Sequence, residues 1–446
     1  MKISCIRMIP ICLLLALPGA AASAELSVDS TSIVRFGQSD SVAYGTSNYR
    51  PATQYLGLDA DKLGDGNLSL HLYGWGRADL ADKSFNDEQV DGNFTYGYLQ
   101  YRFKAANADI RAGRFFVHEG IVNEQIDGAS IRSDLPFGFA VSAFGGANVH
   151  TKHLYGQDTD GKGDANVGGR LSYRYKGILE LGFSGQYESE APTLHDPANP
   201  LLTTPKHNHR LVGGDVWFSP YRMVELMGHT SYNTESKKVA EQSYLLNIKP
   251  VQHLVLTGEY NDHREQSYFY TGLKFSETAL NPDTRSHSIG GKASYAINKN
   301  VEIAGNYKRY TRENGNADRY GGELKFSFLN NSVRSGVSYY YLRAGKQFAP
   351  ASYNFSSYQA VHGYVMHDSK TYFASLDGIG YIFKEKVYNE QAAWEGTFSL
   401  GYHITPNLAA SGDVSYGRNP QFTEEWKGLV RLTYNMTYGE TKGGMR

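Results

Sequence analysis

Four groups of residues have the types and spacing that chemistry uses. His229-Thr230-Ser231 sets an imidazole two positions from a hydroxyl, an arrangement that could pair a base with a nucleophile for ester hydrolysis. Asp158-Thr159-Asp160-Gly161-Lys162-Gly163-Asp164 offers oxygen ligands at alternate positions, as a calcium loop does. With Asp158 as first ligand, Gly163 falls where such a loop needs glycine. Lys162, however, stands where Asp or Asn is required, and Gly169 where Glu is required, so the segment reads as a solvated turn. His150 with His153, and His207 with His209, read as exposed loop histidines. No phosphate-binding glycine loop between a strand and a helix is present. The expectation is no metal, no cofactor and no nucleotide.

Thiol chemistry is excluded more firmly. The two cysteines, Cys5 and Cys12, both lie in the first 24 residues. That segment begins with Lys2 and Arg7, continues through an apolar run over residues 9–17, and ends in Ala22-Ser23-Ala24, the small-x-small pattern of a signal-peptidase site. Residues 1–24 are expected to be a cleaved signal peptide, and residues 25–446 a single exported domain beginning at Glu25. Its apolar core is too short for an anchor helix. A mature chain without cysteine has no disulfide, thiolate zinc site, iron–sulfur cluster or covalently attached haem.

The elements that position the remaining residues follow from composition and periodicity. The 446 residues include 44 Lys+Arg and 45 Asp+Glu, and this balance lacks the basic field of a nucleic-acid binder. Removing Lys2 and Arg7 leaves 42 basic and 45 acidic residues, a net charge of −3. Aromatics at 13% argue against disorder. The mean hydropathy of −0.46 excludes a helical membrane protein but not a barrel, whose strands need only every second residue apolar.

Alternation is what the chain shows. Leu68, Leu70, Leu72, Gly74, Gly76, Ala78 and Leu80 occupy the even positions of one segment, and Ser69, His71, Tyr73, Trp75, Arg77 and Asp79 the odd ones. Leu171, Tyr173 and Tyr175 alternate with Arg170, Ser172, Arg174 and Lys176, and Val301, Ile303, Gly305 and Tyr307 with Glu302, Ala304, Asn306 and Lys308. The clearest strands run long enough to cross a bilayer at a tilt, which takes about 9–11 residues. Tight turns near 105–108, 176–177, 219–221, 250–253, 298–300, 329–332 and 405–407 alternate with long polar connections at 147–166, 189–208 and 264–285. The fold class is therefore all-β: a transmembrane antiparallel up-and-down barrel of 18 to 22 strands, best counted as 22, with periplasmic termini. Segments 52–61 and 355–366 are the weakest strands in that count. A soluble sandwich fits poorly, since the apolar face is rich in Gly and Tyr. Tyr173, Tyr187, Tyr232, Tyr295, Tyr416 and Tyr438 stand at strand ends like an interfacial girdle.

The final strand, Leu429-Val430-Arg431-Leu432-Thr433-Tyr434-Asn435-Met436-Thr437-Tyr438, resembles the C-terminal assembly signal of Gram-negative outer-membrane porins, although residues 439–446 follow its terminal aromatic. Ile110-Arg111-Ala112-Gly113-Arg114-Phe115-Phe116, then Asp127-Gly128 and residues 141–146, resemble hairpins of porin-like families. The resemblance implies the outer membrane of a Gram-negative bacterium, contact with membrane lipids and lipopolysaccharide, and passage of small polar solutes. Such sequences also resemble the barrel component of porin–cytochrome conduits, where a multihaem cytochrome partner would bring the haem. Monomer and homotrimer both remain open.

If apolar positions meet lipid, the alternate positions line the lumen. The expected pore-lining residues are Arg77, Arg102, Arg111, Arg170 and Arg174 from the first half, then Glu225, Glu241 and Glu259. This order places a basic wall beside an acidic one. Either the walls set up a transverse field, or the charges pair across strands. The constriction is expected from a long loop folding inward, with 147–166 the favoured candidate. His229-x-Ser231 resembles the spacing in outer-membrane phospholipases, but a lipid-acting site must face lipid. Val224, Leu226, Gly228 and Tyr232 take that face, and no Asn-Gly follows the serine. A barrel-scaffold lipid hydrolase is thus the remote reading, the cytochrome sheath the second, and a passive or weakly selective channel, not an enzyme, the first.

Overall fold

A computed structural model describes residues 24–41, 45–81, 89–149, 157–158, 165–189, 193–196, 199–204, 209–235, 237–264, 285–312, 315–345, 357–420 and 422–439. The expected signal peptide lies outside these residues except for Ala24. The calcium-like segment and the paired loop histidines likewise fall outside the described residues or side chains.

Twenty-three segments share one sheet. Two of them, Gly45–Tyr49 and Pro51–Leu63, pair in succession with the same strand and make one barrel strand interrupted at Arg50, so the barrel has 22 strands. In chain order they are β1 (Glu25–Ser41), β2 (the two segments just named), β3 (Leu68–Asp79), β4 (Val90–Phe103), β5 (Ala108–Glu119), β6 (Val122–Asp134), β7 (Phe139–Asn148) and β8 (Asn166–Tyr175). Next come β9 (Leu179–Glu188), β10 (His209–Tyr221), β11 (Val224–Asn233), β12 (Lys238–Val251), β13 (Leu254–Arg264), β14 (Arg285–Asn298) and β15 (Val301–Arg312). The last seven are β16 (Gly315–Phe328), β17 (Val333–Ala344), β18 (Tyr358–Asp368), β19 (Tyr372–Val387), β20 (Glu390–Thr405), β21 (Leu408–Arg418) and β22 (Phe422–Tyr438). Both weak segments of the sequence count are strands, β2 and β18.

Each strand pairs antiparallel with its neighbour in sequence. Closure comes from β1 and β22, in register from Leu26 opposite Tyr438 to Asp40 opposite Glu424. Closing the sheet removes both edges, so no long row of unpaired backbone groups is left for aggregation. Among the described residues, no helix is long and apolar enough to cross a membrane.

Tight turns gather at one end with both barrel termini. There Asn107 and Lys176 adopt left-handed backbone conformations that reverse the chain within a few residues. At the same end Tyr101 donates to Asp65 at 2.7 Å, and this bond, with those from Asn67, holds the Asp65 carboxyl below the usual carboxylate range.

The two faces of the sheet separate cleanly. Val167, Leu171, Leu181, Phe183, Ile289, Ile303, Val337, Leu376, Phe398, Val414 and Val430 are all exposed, on strands all round the barrel. On the opposite face small polar residues such as Ser172, Ser184, Ser231, Ser288, Ser338 and Ser415 are buried. An exposed apolar surface of this extent is incompatible with water and matches a lipid-facing band.

Candidate functional site

The wall is interrupted at the β5–β6 hairpin. The β4–β5 ladder runs from Phe103 opposite Ala108 only as far as Gly97 opposite Arg114. The β6–β7 ladder ends at Ile126 opposite Asn148. Between them residues 115–125, the tip of the β5–β6 hairpin, leave the wall. The tip contacts β8, β9 and β10: Ile121 N donates to Ser184 Oγ at 3.2 Å, and a Cβ on Gly120 would stand 2.8 Å from Asp215 Oδ2 and 3.2 Å from Arg170 Cδ. In a closed barrel, a contact that skips β7 is a chord across the concave side. The polar face that receives the hairpin is therefore the inner one.

The bend has a local cause. Gly113 has φ +131°, and it faces Gly128 across the hairpin. A Cβ at Gly113 would lie 2.2 Å from the Gly97 carbonyl oxygen, so only glycine fits. Where the ladder stops, side chains satisfy the abandoned carbonyls: Arg114 Nη1 donates to Phe94 O at 3.0 Å, and Gln125 Nε2 donates to Thr95 O. Arg114 is itself fixed by Asp127 through two hydrogen bonds of 2.7 Å.

Inside the barrel the hairpin makes an apolar cluster. Phe115, Val117, Val122, Ile126 and Phe144 are buried together, with Tyr98 and Ile121 packed against them. A cavity of about 170 Å³ remains beneath it, lined by Arg111, Phe115, Glu119, Arg132, Ser142 and Phe144. Alternation alone does not place apolar residues on the inner face. The signal lies in Arg114-Phe115-Phe116-Val117, where consecutive apolar residues break the period of two and so require cover on both faces. The favoured constriction loop, 147–166, lies mostly outside the described residues. Among the described residues, the short β5–β6 hairpin narrows the lumen.

The eight expected lining residues sit on the inner face, and most are paired. Arg170 donates to Asp215 (Nε–Oδ2 3.0 Å) and to Glu180 (3.1 Å), and Arg174 donates to the same Glu180 at 2.8 and 3.0 Å. This network supports the hairpin tip. Arg102 bonds Asp109 and Asn107, and Arg77 lies 3.4 Å from Asp91. Arg111 donates to Gln100 at 3.1 Å and stands over the Tyr98 ring at 5.9 Å. Glu225 accepts from Trp217 Nε1 at 3.1 Å, Glu241 lies 3.5 Å from His229, and Glu259 lies 2.9 Å from Lys308. Arg170 and Arg174 share a partner, and the three glutamates are spread singly along β11, β12 and β13. Opposite charges meet locally across strands, which weakens any field between a basic and an acidic wall. His229 and Ser231 point inward, away from lipid. No group of three or more metal-ligating side chains occurs among the described residues.

Strand number, closure, two-faced strands and a polar interior define the class: a closed, 22-stranded antiparallel up-and-down β-barrel of the transmembrane type. No protein-family model matches the sequence, and no curated protein matches it. Among solved structures, a variant of the ferric enterobactin receptor PfeA from Pseudomonas aeruginosa is similar in fold, with TM-score 0.58 and 10% identity over 94% of this chain and 81% of that one. OccK5 (OpdH) from Pseudomonas aeruginosa gives 0.46 and 11%, covering 94% of this chain and 99% of its own. OccAB4 from Acinetobacter baumannii gives 0.45 and 10%, covering 94% and 100%.

Proposed function

We propose that this chain is an outer-membrane channel for passive, weakly selective diffusion of small polar solutes, delivered to that membrane by cleavage of residues 1–24. The observation that carries this reading is a closed barrel with a charged inner face, narrowed by a hairpin of its own wall. Arg77, Arg102, Arg111, Arg170, Arg174, Glu225, Glu241 and Glu259 contribute to the lining, and the hairpin tip with the Arg170 network forms the narrowest level. The reading as a sheath for a multihaem cytochrome is less favoured, because the tip occupies lumen that an inserted partner needs. A catalytic reading loses support from the inward direction of His229 and Ser231.

The test is reconstitution of the purified barrel in planar bilayers. Stepwise conductance supports the channel. Silence together with co-purifying haem absorbance counts against it and favours the sheath. Since most inner charges are neutralised by neighbours, the anion/cation permeability ratio should stay near unity. Replacing Arg102, Arg170 and Arg174 together should move the reversal potential only slightly toward cations.

A further inference from the structure

The inner face of β2, β3 and β4 is rich in aromatic rings. It carries Tyr55, Tyr73, Trp75, Tyr96 and Tyr98, whereas the same face of β14 to β16 is mainly charged, with Lys292, Glu302, Lys308, Glu323 and Lys325 beside Tyr310. The tyrosines form a row. Tyr55 and Tyr73 lie 6.4 Å apart with ring planes 23° from parallel, and Tyr73 and Tyr96 lie 5.5 Å apart at 18°. From Tyr96 the row continues to Tyr98 at 6.0 Å, and Tyr98 meets Phe115 of the in-folded hairpin at 6.0 Å. It therefore leads along the wall into the constriction. A Cβ on Gly57 would sit 3.2 Å from Tyr73 Cδ2, so the Tyr73 ring leans along the wall over the neighbouring strand.

Two features equip this row to meet a polar solute. The hydroxyls of Tyr55, Tyr73, Tyr96 and Tyr98 make no hydrogen bond among the described residues, whereas Tyr340, also on the inner face, donates to Glu323 at 2.6 Å. Polar groups also rim the row. His71 stacks on Tyr98 at 4.9 Å and shares a 2.6 Å hydrogen bond with Asp59, Asp61 lies 4.0 Å from the same imidazole, and the Arg111 guanidinium lies 5.9 Å from the Tyr98 ring centre.

We propose that this row is a binding track for neutral oligosaccharides, an inference that rests on the channel reading. A pyranose ring has an apolar C–H face bordered by hydroxyls, which complements aromatic surface bordered by carboxylates, an imidazole and a guanidinium. Simple ions would not use the rings, and a purely apolar solute would not use the rim. Free tyrosine hydroxyls add hydrogen-bonding capacity at the same level.

The experiment uses maltohexaose and cellohexaose as probes of single-channel current and, separately, isothermal titration of the wild-type barrel in detergent. Reversible interruption of an open current by at least one probe is expected on the order of 10 mM or below. Tyr73→Ala and Tyr96→Ala should each weaken it ~5–10-fold, since stacking of this kind is worth about a kcal/mol. Tyr73→Phe, which keeps the ring, should retain most of it, and Tyr340→Ala should leave it unchanged. An open channel blocked by neither probe, or block indifferent to both alanine variants, overturns the track and leaves the channel reading intact. Titration requires no variant and no conductance: heats that saturate support the track even in a silent barrel, and their absence overturns it.

Discussion

Arg170 and Arg174 lie four positions apart on one strand and share Glu180, yet their surroundings differ. The Arg170 side chain is 9% exposed and holds Asp215 as well, under the tip of the hairpin, whereas that of Arg174 is 62% exposed. Removing one partner of an enclosed ion pair strands the other, which costs about 3 kcal/mol, while an exposed pair is worth only ~0–1 kcal/mol. Arg170→Ala should therefore lower the temperature at which the folded band is lost in a heat-modifiability gel, and Arg174→Ala should barely move it. Gly120 belongs to the same scale. Its φ is +63°, and a Cβ there would stand 2.5 Å from Ser184 Oγ. Gly120→Ala should dislodge the tip and raise single-channel conductance without preventing barrel assembly.

At the scale of elements, the β5–β6 hairpin is the part that departs from a regular barrel. Its position rests on the bend at Gly113 and on contacts of Ile121 with β9. Because residues 25–446 contain no cysteine, an introduced pair reports on it without background. Ile121→Cys with Ser184→Cys should cross-link under mild oxidation, given the 3.2 Å bond between Ile121 N and Ser184 Oγ. The cross-linked species should run differently on a non-reducing gel and should show fewer current fluctuations. Replacing residues 115–125 with a tight two-residue turn should give a wider pore; unchanged conductance would show that the narrowest level lies elsewhere. The turn end behaves as the sequence suggests, since Asn, Gly and Pro at those positions specify reversal locally. In-folding of the tip, by contrast, depends on partners 63 residues away.

At the scale of the whole molecule, the sheet separates lipid from water through every strand. Phe183 is 63% exposed on the outer face, and an arginine there should cost about 2–4 kcal/mol if the site is near the bilayer midplane. Equilibrium folding into lipid vesicles by urea titration would measure it. Ser399→Arg, on the inner face of β20 opposite Asp413, should change stability by no more than ~0.5 kcal/mol.

Barrel class, strand faces and the inward direction of Arg77, Arg102, Arg170, Glu225 and His229 were legible because alternation is written residue by residue and a closed sheet has only two sides. The count of 22 followed from turn spacing and from termini at one end. Three things were not legible, and only the tertiary structure decided them. The hairpin tip turns inward because Gly97, Gly113 and Gly128, from three successive strands, meet at one point of the wall. Basic and acidic residues neutralise one another because register sets Arg170 beside Glu180 and Asp215. Tyr55, Tyr73, Tyr96 and Phe115 form one row because leaning rings on four strands reach their neighbours. Periodicity fixes which way a side chain points, but what it meets there depends on strand register and on the curvature of the closed sheet.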